Sequence, residues 1–162
     1  MRSARSLFAF LSSATLAVAG AAIMGMALTE AWQVFARYVL DNPPSWTEPV
    51  ALVLMNTAMM FGAAAGVRAN RHFGFFILVE ASPPLVQRVL RTLARAIAAA
   101  IGVMLLVQGG AMMLDAWSYP MAGASLPQGL VFFPVCAGGA LIALFALEGI
   151  FLPPEAAPEV AR

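Results

Sequence analysis

The chain has 162 residues, of which 62% are hydrophobic and only 10% charged. A soluble domain needs roughly a quarter of its residues charged to cover its surface, so part of this chain's solvent is lipid. The nine basic residues are all arginine, eight carboxylates nearly cancel them, and a net charge of +1 gives no footprint for nucleic acid. Cys136 is alone in an apolar run, which excludes an intrachain disulfide and a cysteine-based metal cluster. No cofactor is expected.

A helix crosses the ~30 Å hydrocarbon layer with about 20 apolar residues. Four charge-free windows meet this need: Ser6 to Thr29, Pro49 to Val67, Ala96 to Leu114 and Ala116 to Leu147. The runs are rich in Ala, Leu and Met and lack period-two alternation, so helices are expected, not strands. The predicted fold is an all-α integral membrane protein, a single membrane domain over 1–162. Its four spans lie at about 7–31, 47–67, 93–116 and 128–152.

In chain order, Arg2 and Arg5 precede the first span. This start resembles a secretory leader, but the apolar run continues to Thr29, beyond a leader's core, so a retained span is expected. Glu30 to Leu40 still read as helix, extending the span to the turn Asp41-Asn42-Pro43-Pro44. At the second span Ser45 and Glu48 have capping-box spacing, and Thr47 is an equally good N-cap that places Pro49 in the first turn. Within that span Gly62-Ala63-Ala64-Ala65-Gly66 removes side-chain bulk, and Gly62 and Gly66 are expected in a tight helix–helix contact, inside this chain or with another. Asn56 near mid-span is expected to tie helices together, with a solute role as the rarer alternative.

Between the second and third spans, about 73–92 is expected to be interfacial. Phe73 to Leu78 form an apolar patch too short to cross. Ser82-Pro83-Pro84 reads as an N-cap followed by proline at the first helical position. Arg88, Arg91 and Arg95 then share one face of a helix predicted to run along the surface before turning into the third span. These three are expected to meet lipid headgroups or a partner protein. His72, the only histidine, reads as an interfacial hydrogen-bonder. Pro120, Gly123, Ser125, Pro127 and Gly129 break the last window, placing the fourth helix from about Gln128, with a kink at Pro134. The tail 153–162 reads as loose. Eight of the nine arginines fall at the N-terminus, the middle loop and the tail, which puts both ends in the cytoplasm. Trp32, Tyr38, Trp46, Trp117 and Tyr119 mark the outer boundary. No ionisable group lies at mid-membrane depth in any span, and neither a catalytic triad nor a metal set is assembled, so an enzyme is not expected.

The stretch Gln33 to Leu40, with Arg37 and Tyr38, followed by Asn42-Pro43-Pro44-Ser45-Trp46-Thr47-Glu48, resembles the small transmembrane subunit of tripartite ATP-independent periplasmic (TRAP) transporters, the DctQ-like family. Gly62-Ala63-Ala64, Arg68, His72, Pro83-Pro84 and Arg88 follow at similar spacing, so the likeness covers nearly the whole chain. Pro49 stands where such proteins often have a second acid, and Phe73 to Val79 is more apolar than usual. The resemblance implies a helper subunit in the bacterial inner membrane that braces a large, DctM-like transport subunit without carrying solute. The large subunit would import an organic acid by sodium symport, fed by a periplasmic binding protein on the outer face. Phospholipids would be further partners. A tripartite tricarboxylate small subunit and a self-sufficient four-helix exporter are the alternatives.

Overall fold

The computed structural model describes residues 2–69 and 83–151. The described chain forms four long helices: α1 (Arg2–Tyr38), α2 (Thr47–Arg68), α3 (Pro84–Asp115) and α4 (Phe133–Phe151). Short 3₁₀ turns at Ala116–Ser118 and Gln128–Val131 join α3 to α4. All four helical segments are long and apolar enough to cross a membrane. No strand occurs among the described residues, only an isolated bridge between Pro120 and Pro127. The all-α membrane fold expected from the charge-free windows is the observed one.

At ~1.5 Å per residue α1 is about 55 Å long and α3 about 48 Å, so both outreach the hydrocarbon layer. The continuation of the first helix past Glu30 is present: α1 runs unbroken to Tyr38. Asp41 then adopts a left-handed conformation, φ 51°, which a short polar side chain tolerates. The N–H of Asn42 donates back to the Ala36 carbonyl at 3.1 Å, satisfying an orphan acceptor of the helix end.

Neither proposed cap of α2 forms. Trp46 holds the N-cap position without a side-chain cap bond. Thr47, fully buried, donates to the Pro44 carbonyl at 2.9 Å instead. Ser45 donates to the Gly123 carbonyl at 2.9 Å, tying the first turn to the α3–α4 connection. Pro49 sits in the first turn of α2, where its missing N–H matters little. Gly123 has φ +84°, and a Cβ there would collide with the Ser45 carbonyl oxygen, so this position admits glycine on two counts.

The helices lie in the spatial order α1, α2, α4, α3, because α1 packs on α2, α2 on α4, and α4 on α3. α4 is the most enclosed helix and α3 the least. Ala64 of α2 with Ile142 and Phe145 of α4 form the buried centre, flanked by Phe8 and Leu11 of α1 and Leu105 of α3. The tightest seam is α3 against α4. A Cβ on Gly102 would lie 2.5 Å from the Ala143 nitrogen and 2.8 Å from the Gly139 oxygen. A Cβ on Gly139 would meet the Leu106 nitrogen at 2.6 Å. Both obstacles are backbone, so no side chain can swing away.

Three sequence expectations are corrected here. A Cβ on Gly62 would touch nothing within 4 Å among the described residues, so of the two settings expected for its tight contact, inside this chain or with another, only the first is corrected. The packed members of its stripe are Ala64 and Ala65, because they, not Gly62, face the neighbouring helices. Pro134 does not kink a helix. It lies in the first turn of α4, after the 3₁₀ turn has ended, where no intrahelical N–H is needed. Finally, α3 is one uninterrupted helix with Pro83 as N-cap and Pro84 as first residue, without a turn between an interfacial part and the span. Phe73 to Leu78, Ser82 and the tail 153–162 lie outside the described residues.

These contacts order two substitutions. Gly139→Ala forces α3 and α4 apart and should destabilise the purified protein by about 1–3 kcal/mol, the usual cost of overpacking. Gly62→Ala removes a flexible residue from a helix and adds no clash, so it should be neutral or stabilise by up to ~1 kcal/mol. Thermal unfolding in detergent compares the two. Equal losses would place the tight seam elsewhere.

Candidate functional site: paired charges at the basic end of the bundle

The contacts bring the N-terminal parts of α1 and α3 together with the C-terminal ends of α2 and α4. This is the basic end. The turns around Ser45 and Gly123 form the opposite, aromatic end. At the basic end Arg68, in the last turn of α2, meets Glu148 of α4. Arg68 Nε donates to Glu148 Oε2 at 2.9 Å, and its Nη2 donates to Oε1 at 3.3 Å. The guanidinium fork matches the two carboxylate oxygens, which fixes the geometry as well as the charge. Glu148 retains 9% of its side-chain exposure and Arg68 27%, so the carboxylate depends on this partner more than the arginine does.

At the next residue of α4, Arg95 of α3 donates through Nη1 to the Gly149 carbonyl. Gly149 is a slot for that side chain: a Cβ there would lie 2.8 Å from Arg95 Nε. A cation on the carbonyl end of a helix is also favoured by the helix dipole. Together Arg68 and Arg95 clamp α2 and α3 onto the end of α4.

The remaining candidates separate from this clamp. Arg37, Tyr38, Trp46 and Glu48 all lie at the aromatic end and are exposed. Trp32 stacks obliquely on Phe35 there, with ring centroids 5.8 Å apart. Asn56 Nδ2 donates to the Val131 carbonyl at 3.2 Å, reaching from α2 to the 3₁₀ turn that precedes α4. Its amide therefore ties two elements together. Gly66 is half-buried near the end of α2, two residues before Arg68. Arg88 and Arg91 are exposed on the first two turns of α3. His72 lies outside the described residues.

Sequence reasoning missed Glu148 and Gly149. The available signal was that Glu148 closes the last charge-free window at the end where Arg68 and Arg95 also stand. Among the described residues no group of three or more His, Cys, Asp or Glu could hold a metal ion. What the arrangement supplies is a bidentate ion pair and a cation on a helix carbonyl, joining three helix ends.

Removing either charge leaves the other at the membrane boundary. Glu148→Ala and Arg68→Ala should each lower thermal stability, Arg68→Ala more, because it strands the better-buried carboxylate. The double variant should be less destabilised than the two single losses added, with a coupling of about 1–3 kcal/mol. Strict additivity would mean that the pair contributes nothing as a pair.

A comparison with curated proteins finds no match. A family model of the DctQ component of tripartite ATP-independent periplasmic transporters matches residues 26–153. That stretch holds the end of α1, all of α2, α3 and α4, both exposed aromatic-end motifs and the Arg68–Glu148 brace. With four helices each able to cross a membrane, the chain belongs to the DctQ component family of tripartite ATP-independent periplasmic transporters.

Proposed function

We propose that this small transporter component is a brace: it supports a large DctM-like subunit in the bacterial inner membrane and does not itself carry solute. The observation that supports this most is how the polar groups are used. Among the described residues no buried side-chain nitrogen or oxygen lacks a hydrogen-bond partner. Thr15, Thr29 and Thr57 donate to carbonyls four residues back, Asn56 to Val131, and Arg68 to Glu148. A carrier keeps polar groups for its cargo near mid-membrane. Here the buried ones are used to hold the bundle.

The apolar surface points the same way. The flanking helices α1 and α3 expose large side chains along their lengths, among them Leu16, Met24 and Leu28 on α1, and Val103, Met104 and Val107 on α3. These faces suit lipid or a second membrane protein. The sodium coupling, the organic-acid cargo and the periplasmic binding protein are part of this proposal by family resemblance and are not read from any residue of this chain. Both termini are assigned to the cytoplasm on the arginine distribution, which puts the basic end inside and the aromatic end outside.

Two experiments test the reading. Liposomes holding the large subunit and this chain should take up solute when sodium gradient and binding protein are supplied, and the chain alone should transport nothing. Uptake by the chain alone would overturn the proposal. In a Cys136→Ser background, cysteines at Asn42 and Ser125 should react with an impermeant thiol reagent on intact cells, and one at Ala69 should not. The reverse labelling would invert the topology.

A further inference from the structure

The face of α3 that meets α4 changes character along its length. Gly102 and Gly109, seven residues apart, lie against the α4 backbone. Arg95 and Arg88 continue that seven-residue repeat towards the start of α3, with Arg91 beside them at the three-residue offset. The stripe is glycine where α4 presses on it and arginine from the level of Gly149 onward. Arg95 covers the end of α4 through the Gly149 carbonyl. Arg91 and Arg88 lie about 6 and 10 Å further along the helix axis, at ~1.5 Å per residue.

At this level α3 is two-sided. Arg88 and Arg91 are exposed on one side, while Leu85, Val86, Val89, Leu90 and Leu93 are exposed around the others. No carboxylate occurs in α3 before Asp115, so the helix holds no internal counter-ion for either arginine. The charge-free part of the span begins at Ala96. Arg91 and Arg88 stand about 8 and 12 Å beyond it along the axis, and their long side chains can fold back to the headgroup layer, which adds only several ångströms to each face of the hydrocarbon.

We propose that Arg88 and Arg91 bind the phosphodiester of an anionic glycerophospholipid, with its acyl chains along the neighbouring leucines and valines. Guanidinium groups three residues apart stand on adjacent turns and can share one phosphate, whose oxygens match the planar fork. A phospholipid is the occupant that supplies an anion and apolar chains together, at the depth where this helix offers both complements. The seat would fix the long first turns of α3 relative to the bilayer. This inference does not rest on the family or on which end is cytoplasmic.

The test titrates the purified full-length chain, in detergent, with phosphatidylglycerol or phosphatidylcholine of matched acyl chains, reading bound lipid by native mass spectrometry. Inorganic phosphate alone is the third probe. The wild type should prefer phosphatidylglycerol at least about 10-fold and show no specific binding of free phosphate. A basic side chain near an anionic membrane accounts for about 5-fold in affinity, so R88Q/R91Q should lose roughly 30-fold. R88K/R91K, which keeps both charges but not the planar fork, should bind phosphatidylglycerol several-fold more weakly than wild type while still preferring it to phosphatidylcholine, and unchanged affinity would overturn the proposal. This variant carries the test if the glutamine variant does not fold. Equal binding of the two lipids, or phosphatidylglycerol affinity unchanged in R88Q/R91Q, would overturn the proposal. So would phosphate binding as strong as lipid binding. Loss of large-subunit recovery in R88Q/R91Q with lipid binding intact would make the face a protein contact instead.

Discussion

Helices already in lipid gain nothing from the hydrophobic effect by meeting one another, so their association depends on how closely their backbones can approach. In this chain the closest approach is the seam between Gly102 of α3 and Gly139 and Ala143 of α4. That contact sets the antiparallel register of the pair. It places Gly109 beside Cys136 and Arg95 over Gly149, so the seam is continuous from the aromatic end to the basic end. α4 held in this register turns Ile142 and Phe145 towards Ala64 of α2 and brings Glu148 to Arg68. The core and the ion pair are consequences of one backbone contact.

The polar contacts then decide what the bundle can do. Hydroxyls fold back onto their own helices, and Asn56 holds the carbonyl of Val131, just before the helix restarts. The Arg68–Glu148 ion pair between helices lies at an end of the bundle, not at its middle. Contacts between elements tie the bundle at both ends: Ser45 on Gly123 at one, and Arg68 and Arg95 at the other. Such ties, with apolar flanks, are what the proposed bracing role would use, because a carrier that moves needs something fixed to move against.

Much of this was readable in the residues, and the parts that were not share a reason. The four spans followed from charge-free windows, since an ionisable group in lipid is costly enough to punctuate the sequence. The family likeness was legible from Arg37-Tyr38 through Trp46 and Glu48, which are exposed and so owe little to packing. Which small residues meet was not legible: Gly62 and Gly139 sit in similar apolar company, and only the direction each faces separates open space from a backbone clash. Arg68 and Glu148 are 80 positions apart, beyond any local pattern. Ser45 and Pro134 misled for a related reason. Cap and kink rules are local, whereas Ser45 is claimed by a distant turn, and the helix expected to bend at Pro134 begins there.

The central claim is that α4 is the enclosed axis of a brace whose partner contacts lie on its flanks. Photo-crosslinking residues placed in the assembled transporter test this directly, at Met24 and Leu28 of α1, Val103 and Val107 of α3, and Ile142 and Phe145 of α4. At least one flank should yield adducts with the large subunit, and the two α4 positions should link only within this chain. Large-subunit adducts from Ile142 or Phe145, with none from either flank, would contradict the claim.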